Sequence, residues 1–325
     1  MLCDTQVSVR RLPQFRKSLL AWYDANRRDL PWRRTRDPYR IWISEIMLQQ
    51  TRVAAVLPRY ERFLEEFPSV EKLAAAKLDA VLAEWSGLGY YHRARNLRAA
   101  AKVIVNQHRG KFPRGAASLL QLPGIGRYTA AAIASIAFNE PVAVLDGNVE
   151  RVLSRLFGVA YTKAKSWVAA QHLIDHTRPG DFNQSMMELG ATVCVPHEPA
   201  CPDCPIRKFC QTRGRGKFHS PKPRQMQASV AYGLETQQDS VLLVKRSSCE
   251  SLMPGMWELP RLEATSGGKL IFTVRHSITV TDYRVAVVEC DIRHPKAKRV
   301  RVSQLRELPL TGLTQKILRK AKIIR

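Results

Sequence analysis

Residues 122–138 read LPGIGRYTAAAIASIAF, and this stretch decides the fold of the N-terminal part of the chain. Gly124 and Gly126 permit a tight turn just before a run of small residues that favours a helix. Backbone N–H groups at the start of such a helix can bind an anion, since the positive end of the helix dipole lies behind them. The hairpin, with Arg127 beside it, is predicted to hold a phosphate without reading base sequence. Taken alone, PGIG is also typical of an ordinary connection between two helices.

The pattern on both sides of this hairpin is helical up to about residue 210. Apolar residues recur at spacings of three and four in FRKSLLAWY, LAAAKLDAVLAEW and VERVLSRLFGV. Residues 211–229 are basic, rich in Gly and Pro and poor in large apolar side chains, which is typical of a linker. Short β-branched runs and a last helical segment, TQKILRKAKI, follow. The sequence thus predicts a mostly α domain over residues 1–210, a basic linker over 211–229 and a smaller α+β domain over 230–325.

Positive charge is spread over the whole chain of 325 residues. Lys and Arg number 52 against 28 Asp and Glu, a formal net charge of +24. Residues 1–230 contain 35 Lys and Arg against 19 Asp and Glu, and the remainder contains 17 against 9. A hydrophobic content of 45% excludes a disordered chain, and no apolar run reaches the ~20 residues of a membrane span. We therefore expect a cytoplasmic protein without a signal peptide that binds nucleic acid, although a merely soluble basic surface is the alternative.

Four of the seven cysteines are clustered in the sequence CVPHEPACPDCPIRKFC. They are Cys194, Cys201, Cys204 and Cys210, with the spacing C-x6-C-x2-C-x5-C. In a cytosolic protein such a cluster indicates metal binding rather than disulfides. Tetrahedral zinc and an iron–sulfur cluster both accept four thiolates, and the spacing leaves both possible.

Two carboxylates, Glu45 and Asp146, are candidate catalytic groups, and each also has a purely structural explanation. Glu45 lies among apolar residues in RIWISEIMLQQT, a segment that Pro38 can open with Asp37 as its N-cap. If buried there, its pKa should rise, as a general acid at neutral pH requires; the alternative is an exposed stripe. Asp146 ends an apolar run in PVAVLDGNVERVLSRLF, where it is a good N-cap whose backbone donors would favour the ionised form.

These motifs together resemble the helix–hairpin–helix DNA glycosylases, and within them the MutY-type adenine DNA glycosylase family. The likeness rests on LPWR, WISEIMLQQT, GLGYYHRARNL, LPGIG, LDGNVERVL, FNQSMMELGATVC and the four-cysteine loop, from about residue 12 to 210. A weaker likeness runs on through LMPGMWELP and VRHSITV. The resemblance implies a helix–hairpin–helix glycosylase domain with a [4Fe–4S] loop, followed by a degenerate Nudix-like domain that recognises DNA. No Nudix box is present, so we expect no pyrophosphatase activity.

The resemblance also implies a chemistry. The enzyme would excise adenine mispaired with 8-oxoguanine or guanine in double-stranded DNA, acting as a monomer in a bacterial-type cytoplasm at the nucleoid. Glu45 would protonate the base, and Asp146 would stabilise or transiently trap the oxocarbenium ion. The other implied positions are Tyr128 and Asn148 as catalytic assistants, Trp32, Arg33, Gln184 and Met187 in the adenine pocket, and Gln49, Tyr90, Gly124, Gly126, Arg127 and Thr279 on DNA.

Two departures from related patterns matter. The endonuclease III type carries a lysine nucleophile where this chain has Tyr128, so a monofunctional glycosylase is expected, with a bifunctional glycosylase/AP lyase as the alternative. The Phe-Ser-His loop that reads 8-oxoguanine in the family aligns with Ile278, Thr279 and Val280. Thr279 keeps a hydroxyl, but the aromatic ring and the imidazole are gone, so weaker 8-oxoguanine preference is expected.

Overall fold

The computed structural model describes residues 11–215, 225–247, 249–250, 252–262, 268–278, 280–292 and 294–324. It forms two compact units, each discontinuous in sequence. The first contains Met1–Gln49 and Val103–Ser220, and the second contains Gln50–Lys102 and Pro221–Arg325. The two units divide the chain differently from the boundaries expected at residues 210 and 230, since the helices that follow Gln50 cluster with the C-terminal strands. Those boundaries stay a prediction.

The first unit is helical, as the sequence predicts. Its helices are α1 (Leu12–Asn26), α2 (Pro38–Leu48), α7 (Ala116–Leu119), α8 (Arg127–Phe138), α9 (Gly147–Phe157), α10 (Lys163–Leu173) and α11 (Pro179–Thr192), with 3-10 turns at Pro31–Arg33, Cys201–Asp203 and Arg207–Phe209. The apolar stripe of α9, including Val152 and Leu156, packs in one core with Phe15, Phe182 and Leu189. This core fixes α11 against α1, α8 and α9.

Two glycines of α11 permit this close packing. A Cβ at Gly180 would lie 2.7 Å from the backbone oxygen of Ser135, and one at Gly190 would lie 2.7 Å from the Cβ of Asn148. A larger residue at either position would push α11 away from its neighbours. The start of α9 and the C-terminal end of α11 are therefore held at a fixed separation.

The second unit combines helices with two small sheets. It contains α3 (Val53–Glu66), α4 (Val70–Ala75), α5 (Leu78–Glu84), most of α6 (His92–His108), β1 (Met226–Gly233), β2 (Thr236–Gln237), β3 (Ser240–Lys245), β4 (Trp257–Glu258), β5 (Arg261–Leu262), β6 (Lys269–Ile278), β7 (Thr281–Glu289), β8 (Ala297–Arg301), a 3-10 turn (Val302–Glu307) and α12 (Gly312–Lys320). One sheet has the strand order β5-β1-β7-β6, and the other joins β2, β3 and β4, with β8 on β3.

Two details differ from the sequence expectation. LAAAKLDAVLAEW forms two helices, because the chain is extended at Lys77, which precedes α5. Strand β1 begins at Met226, inside the stretch assigned to the linker, because Met226 onward pairs in parallel with β7 from Thr281. Together with α12, the strands confirm an α+β C-terminal region, while its Nudix likeness stays a prediction. None of the described helices is long and apolar enough to cross a membrane.

Buried hydrogen bonds join the helices of the second unit to its C-terminal segment. The backbone oxygen of Leu310 accepts from Ser86 Oγ at 2.6 Å and from Tyr91 Oη at 3.3 Å. Gln315 Nε2 donates to Ser86 Oγ at 2.7 Å. Because unmade buried hydrogen bonds are costly, the two parts of this unit stabilise each other.

Candidate active site

Glu45 is a buried carboxyl group in the middle of α2. The helix begins at Pro38, and the Asp37 carboxylate caps it by accepting from the backbone N–H of Tyr39 at 3.0 Å, as predicted. Glu45 is 6% exposed, which excludes the exposed-stripe alternative. Burial raises the pKa of Glu45 from 4.5 to about 7, although a hydrogen bond from Tyr128 opposes the shift. The group can therefore carry a proton near neutral pH.

Tyr128 on α8 is the direct partner of Glu45. Its hydroxyl donates to Glu45 Oε2 at 2.9 Å and also lies 3.1 Å from the Sδ of Met187. Burial and the nearby Glu45 and Asp146 raise the pKa of Tyr128 well above its ordinary value of 10, so the hydroxyl stays protonated. Three of the predicted residues, one each from α2, α8 and α11, thus meet at one point.

Asp146 caps α9 and faces the same region. Its Oδ1 accepts from the backbone N–H of Val149 at 2.7 Å, and its Oδ2 accepts from Asn148 Nδ2 at 3.1 Å. Burial raises the pKa of Asp146, and it outweighs these donors, which lower it. Asp146 in turn raises the pKa of Glu45, so the two carboxyl groups interact electrostatically. Such a pair favours one protonated and one ionised member.

A second buried carboxylate, Glu188 on α11, was missed by the sequence analysis. It is fully buried, and both of its oxygens are bonded: Arg28 donates to Oε1 and Oε2 at 2.8 and 2.6 Å, and Arg33 donates to Oε2 at 2.7 Å. Burial alone would raise its pKa, but the two arginines outweigh it and bring the pKa to about 2. Glu188 therefore holds Arg33, which the resemblance places in the adenine pocket, in a fixed position.

The other residues predicted for the adenine pocket, and the predicted DNA contact Gln49, lie on elements around this cluster. Trp32, 6% exposed, sits beside Arg33 in the 3-10 turn Pro31–Arg33. Gln184 is buried on α11, one turn before Met187 and Glu188, so it shares their side of the helix. Gln49, directly after α2, donates from Nε2 to Thr129 Oγ1 at 3.1 Å.

The hairpin has the expected geometry. Gly124 has a φ of +73°, which favours glycine, and Gly126 is the N-cap of α8, which begins at Arg127. Gly124, Gly126 and Arg127 are exposed, and the Arg127 guanidinium lies 4.0 Å from the centre of the Trp167 ring. The turn and the helix are confirmed, and phosphate binding there stays a prediction.

The four clustered cysteines line a single cavity. Among the described residues, no three His, Cys, Asp or Glu side chains are placed to hold a single metal ion. Tetrahedral zinc would need all four sulfurs at ~2.3 Å from one point. A [4Fe–4S] cluster is larger and is held by its four thiolates from outside. The four cysteines thus supply the ligand set that either metal group needs, gathered around one cavity.

Arg155 on α9 stabilises this loop from within and was also missed. It is 5% exposed, and it donates to the backbone oxygens of Val195 and Pro196 at 2.7 and 2.9 Å and approaches Cys194 Sγ at 3.4 Å. A donor near a ligand sulfur tunes a bound cluster. The only signal in the sequence was the place of Arg155, three residues after Val152 at the edge of the apolar stripe.

One of the predicted DNA contacts, Tyr90, belongs to the second unit. Tyr90 has a φ of +49°, a backbone conformation that is unusual for a bulky residue. It is 38% exposed. Arg93 is buried beneath this turn and donates to the backbone oxygens of Leu88 and Gly89, each at 3.0 Å. Its guanidinium lies 5.4 Å from the Tyr90 ring. Thr279 lies outside the described residues.

The family of the chain follows from a match over its helical part. Residues 43–173 match the model of the HhH-GPD superfamily of base excision DNA repair proteins. The solved structure of a thermostable thymine-DNA glycosylase is 32% identical, covers 65% of this chain and all of its own, and has a TM-score of 0.60. An endonuclease III–DNA intermediate, at 23% identity, covers 63% of this chain and 96% of its own with a TM-score of 0.55, and it supports the fold alone. The chain belongs to the HhH-GPD superfamily.

Within that superfamily, several similar curated proteins are adenine DNA glycosylases. The human enzyme is 47% identical over 222 residues, which cover 64% of this chain and 41% of the human one. The Arabidopsis thaliana enzyme is 41% identical over 304 residues, 78% of this chain and 48% of the relative. The enzyme of Buchnera aphidicola from Acyrthosiphon pisum is 42% identical over 203 residues, which cover 60% of this chain and 58% of the relative. The chain thus spans about half the length of the relatives it matches.

Proposed function

We propose that the protein is a base-excision-repair glycosylase that removes adenine mispaired with 8-oxoguanine or guanine. The observation that carries this proposal is Glu45, a buried carboxyl group whose pKa is raised to about 7 and which lies beside Tyr128 and Asp146. A glycosylase needs such an acid, because adenine leaves readily only after protonation. The adenine DNA glycosylases among the relatives supply the choice of base.

The residues divide the work of breaking the N-glycosidic bond. Glu45 gives its proton to a ring nitrogen of an extruded adenine, and the bond electrons leave with the base. Positive charge then develops on the sugar, and the Asp146 carboxylate stabilises it or traps it transiently, as paired carboxylates do in glycoside hydrolysis. Water then attacks the same sugar carbon, and its proton passes to the Glu45 carboxylate, which restores the acid. Tyr128 holds the Glu45 carboxyl group in place, and Asn148 holds Asp146.

We infer that the enzyme is a monofunctional hydrolase. A bifunctional lyase needs an amine that forms a Schiff base with the sugar. Tyr128 stands where the endonuclease III type has that lysine, and its hydroxyl is engaged with Glu45. The alternative, an endonuclease III-like glycosylase/AP lyase, would have to use another amine.

We further propose that Cys194, Cys201, Cys204 and Cys210 hold a [4Fe–4S] cluster. The cavity that they share supports a bound metal group, and the resemblance to the iron–sulfur glycosylases favours the cluster over zinc. When bound, the cluster would tie the loop after α11 into the fold. Iron and a broad visible absorbance in the purified protein would support it, whereas zinc as the only metal would contradict it.

Excision from a panel of defined duplexes tests the function. The purified protein should release adenine from adenine:8-oxoguanine and adenine:guanine pairs and leave adenine:thymine intact. Borohydride should trap no covalent complex. Release of oxidised pyrimidines with efficient trapping would instead favour the bifunctional alternative.

Preference for 8-oxoguanine over guanine should be weaker than in a Phe-Ser-His enzyme. Ile278 and Val280 flank Thr279 and offer no hydrogen-bonding side chain to the lesion. Dissociation constants for duplexes with an uncleavable adenine analogue opposite each guanine form measure this preference. A preference as large as in a Phe-Ser-His protein would show that recognition lies elsewhere, for instance in Tyr90 and Gln49.

A further inference from the structure

The sheet β5-β1-β7-β6 has one covered face and one open face. On the covered face, Val274, Val285 and Val287 are nearly fully buried in a core that includes Leu313 and Ile317 of α12. Side chains of neighbouring residues in a strand point to opposite faces. The intervening positions of β1, β6 and β7 therefore form the open face.

The strand register sets four rows of side chains on this open face. The rows are Gln227–Asp282–Ser277, Ser229–Arg284–Arg275, Ala231–Ala286–Thr273 and Gly233–Val288–Leu270, and Leu262 of β5 lies beside Ala231. The side chains of the first three rows are exposed or half-buried, and none of them is both apolar and larger than that of alanine. The large apolar side chains of Val288, Leu270 and Leu262 lie at one end of the face, so the part around the two arginines is polar.

Two arginines stand opposite each other at its centre. Arg275 on β6 pairs directly with Arg284 on β7, and both are exposed. Like charges opposite each other across a strand pair destabilise a sheet. Within the described ranges, neither guanidinium forms an ion pair with a carboxylate. The nearby Asp282 accepts hydrogen bonds from Ser277 and Gln227 instead.

The edge of the sheet beside this face is already closed. Two lysines of α12 donate to the outer backbone oxygens of β6: Lys316 to Arg275 at 2.6 Å and Lys320 to Thr273 at 2.9 Å. Lysines at an edge discourage the addition of a strand from another chain. They also add two positive charges beside Arg275. The polar part of the open face around Arg275 and Arg284 is therefore cationic and rich in hydrogen-bond donors.

We propose that this open face binds the phosphodiester backbone of duplex DNA, with a phosphate held between Arg275 and Arg284. Arginine with serine, threonine and glutamine is the donor set that proteins use on phosphate oxygens. A bound phosphate would relieve the repulsion between the two guanidinium groups. The proposal rests on the proposed function in one respect: its ligand is DNA.

The double variant R275Q/R284Q tests it against the charge-matched control K298Q/R301Q, whose exposed residues lie on β8 of the other sheet. Affinity for an undamaged duplex is measured by fluorescence anisotropy at several salt concentrations. Loss of one phosphate contact should weaken binding and reduce the slope of log K against log salt by about 1. R284K, which keeps the charge, and the control should retain the slope of the parent.

Thermal unfolding separates binding from folding. Because R275Q/R284Q removes a like-charge pair, its Tm should equal or exceed that of the parent, whereas a merely structural role would lower it. Equal slopes for R275Q/R284Q and the control overturn the proposal, whatever excision shows. A selective loss of slope in a protein that fails to excise adenine supports this face and rejects only the proposed function. A parent without measurable affinity for duplex DNA overturns both.

Discussion

Two buried glutamates in the first unit have opposite ionisation. Glu45 on α2 and Glu188 on α11 are 6% and 0% exposed, yet the pKa of Glu45 is raised to about 7 and that of Glu188 is lowered to about 2. Glu45 has a neutral tyrosine hydroxyl as its direct partner, whereas Glu188 has two guanidinium groups. Two glutamates that are buried to a similar extent therefore differ in function: Glu45 can transfer a proton near neutral pH, whereas Glu188 carries a fixed negative charge. Partners, rather than depth, decide the role.

The largest effect should come from removing the proton of Glu45. In E45Q the amide cannot protonate adenine, so single-turnover release from an adenine:8-oxoguanine duplex should fall about 100- to 10,000-fold. The control is E61Q, at an exposed position of α3. If E45Q kept a rate near that of the parent, Glu45 would not be the acid and the contrast with Glu188 would lose its functional meaning.

The next effect concerns stability at Glu188. E188Q leaves Arg28 and Arg33 without their carboxylate, and removing one member of a buried ion pair costs about 3 kcal/mol. Urea unfolding should show this loss at neutral pH, with E61Q again unchanged. A value within the error of the parent would mean that the two arginines find other partners.

The pH dependence of stability should run in opposite directions for the two groups. The folded state favours protonated Glu45, so the contribution of Glu45 is complete below its ordinary pKa of 4.5 and is lost as pH rises through about 7. The contribution of Glu188 is complete above 4.5 and is lost as pH falls toward about 2.

Relative to pH 4, the parent should therefore lose up to about 3 kcal/mol by pH 8 that E45Q does not lose. The deficit of E188Q should shrink as pH falls from 4.5. Unfolding free energies of the three proteins across this range measure both trends. Parallel curves for the parent and E45Q would contradict the raised pKa.

The smallest effect should come from Y128F. The hydrogen bond from Tyr128 lowers the pKa of Glu45, so its loss should raise that pKa further and extend excision to higher pH. The rate below neutral pH should change only a few-fold. Y161F, whose ring packs on Phe157, is the matched control. An unchanged pH profile in Y128F would show that Tyr128 does not act through Glu45.

The sequence predicted residues whose role depends on local pattern. The apolar residues around Glu45 indicated its burial but left an exposed stripe as the alternative. Asp37, Asp146 and Gly126 are N-caps where the local signals indicated helix starts. The meeting of Glu45 and Tyr128 was expected only through the family resemblance, because 83 residues separate them.

The sequence could not predict electrostatic partners that lie far apart along the chain. Glu188 lies 160 residues from Arg28, and nothing in MMEL or NRRDLPWRR marks the two segments as neighbours. Arg155 likewise looks like a solvated helix residue until the loop at Val195 and Pro196 folds over it. The start of β1 at Met226 depends on pairing with β7, which local composition cannot show.

The hydrogen bonds of Leu310 to Ser86 and Tyr91 have a consequence for synthesis on the ribosome. More than two hundred residues separate these groups, and at roughly 5–20 residues per second the early helices wait about 10–40 s for their partner. Much of the first unit can fold meanwhile. We therefore expect the segment after Gln50 to be the last part of the N-terminal half to mature, and the part most in need of a chaperone.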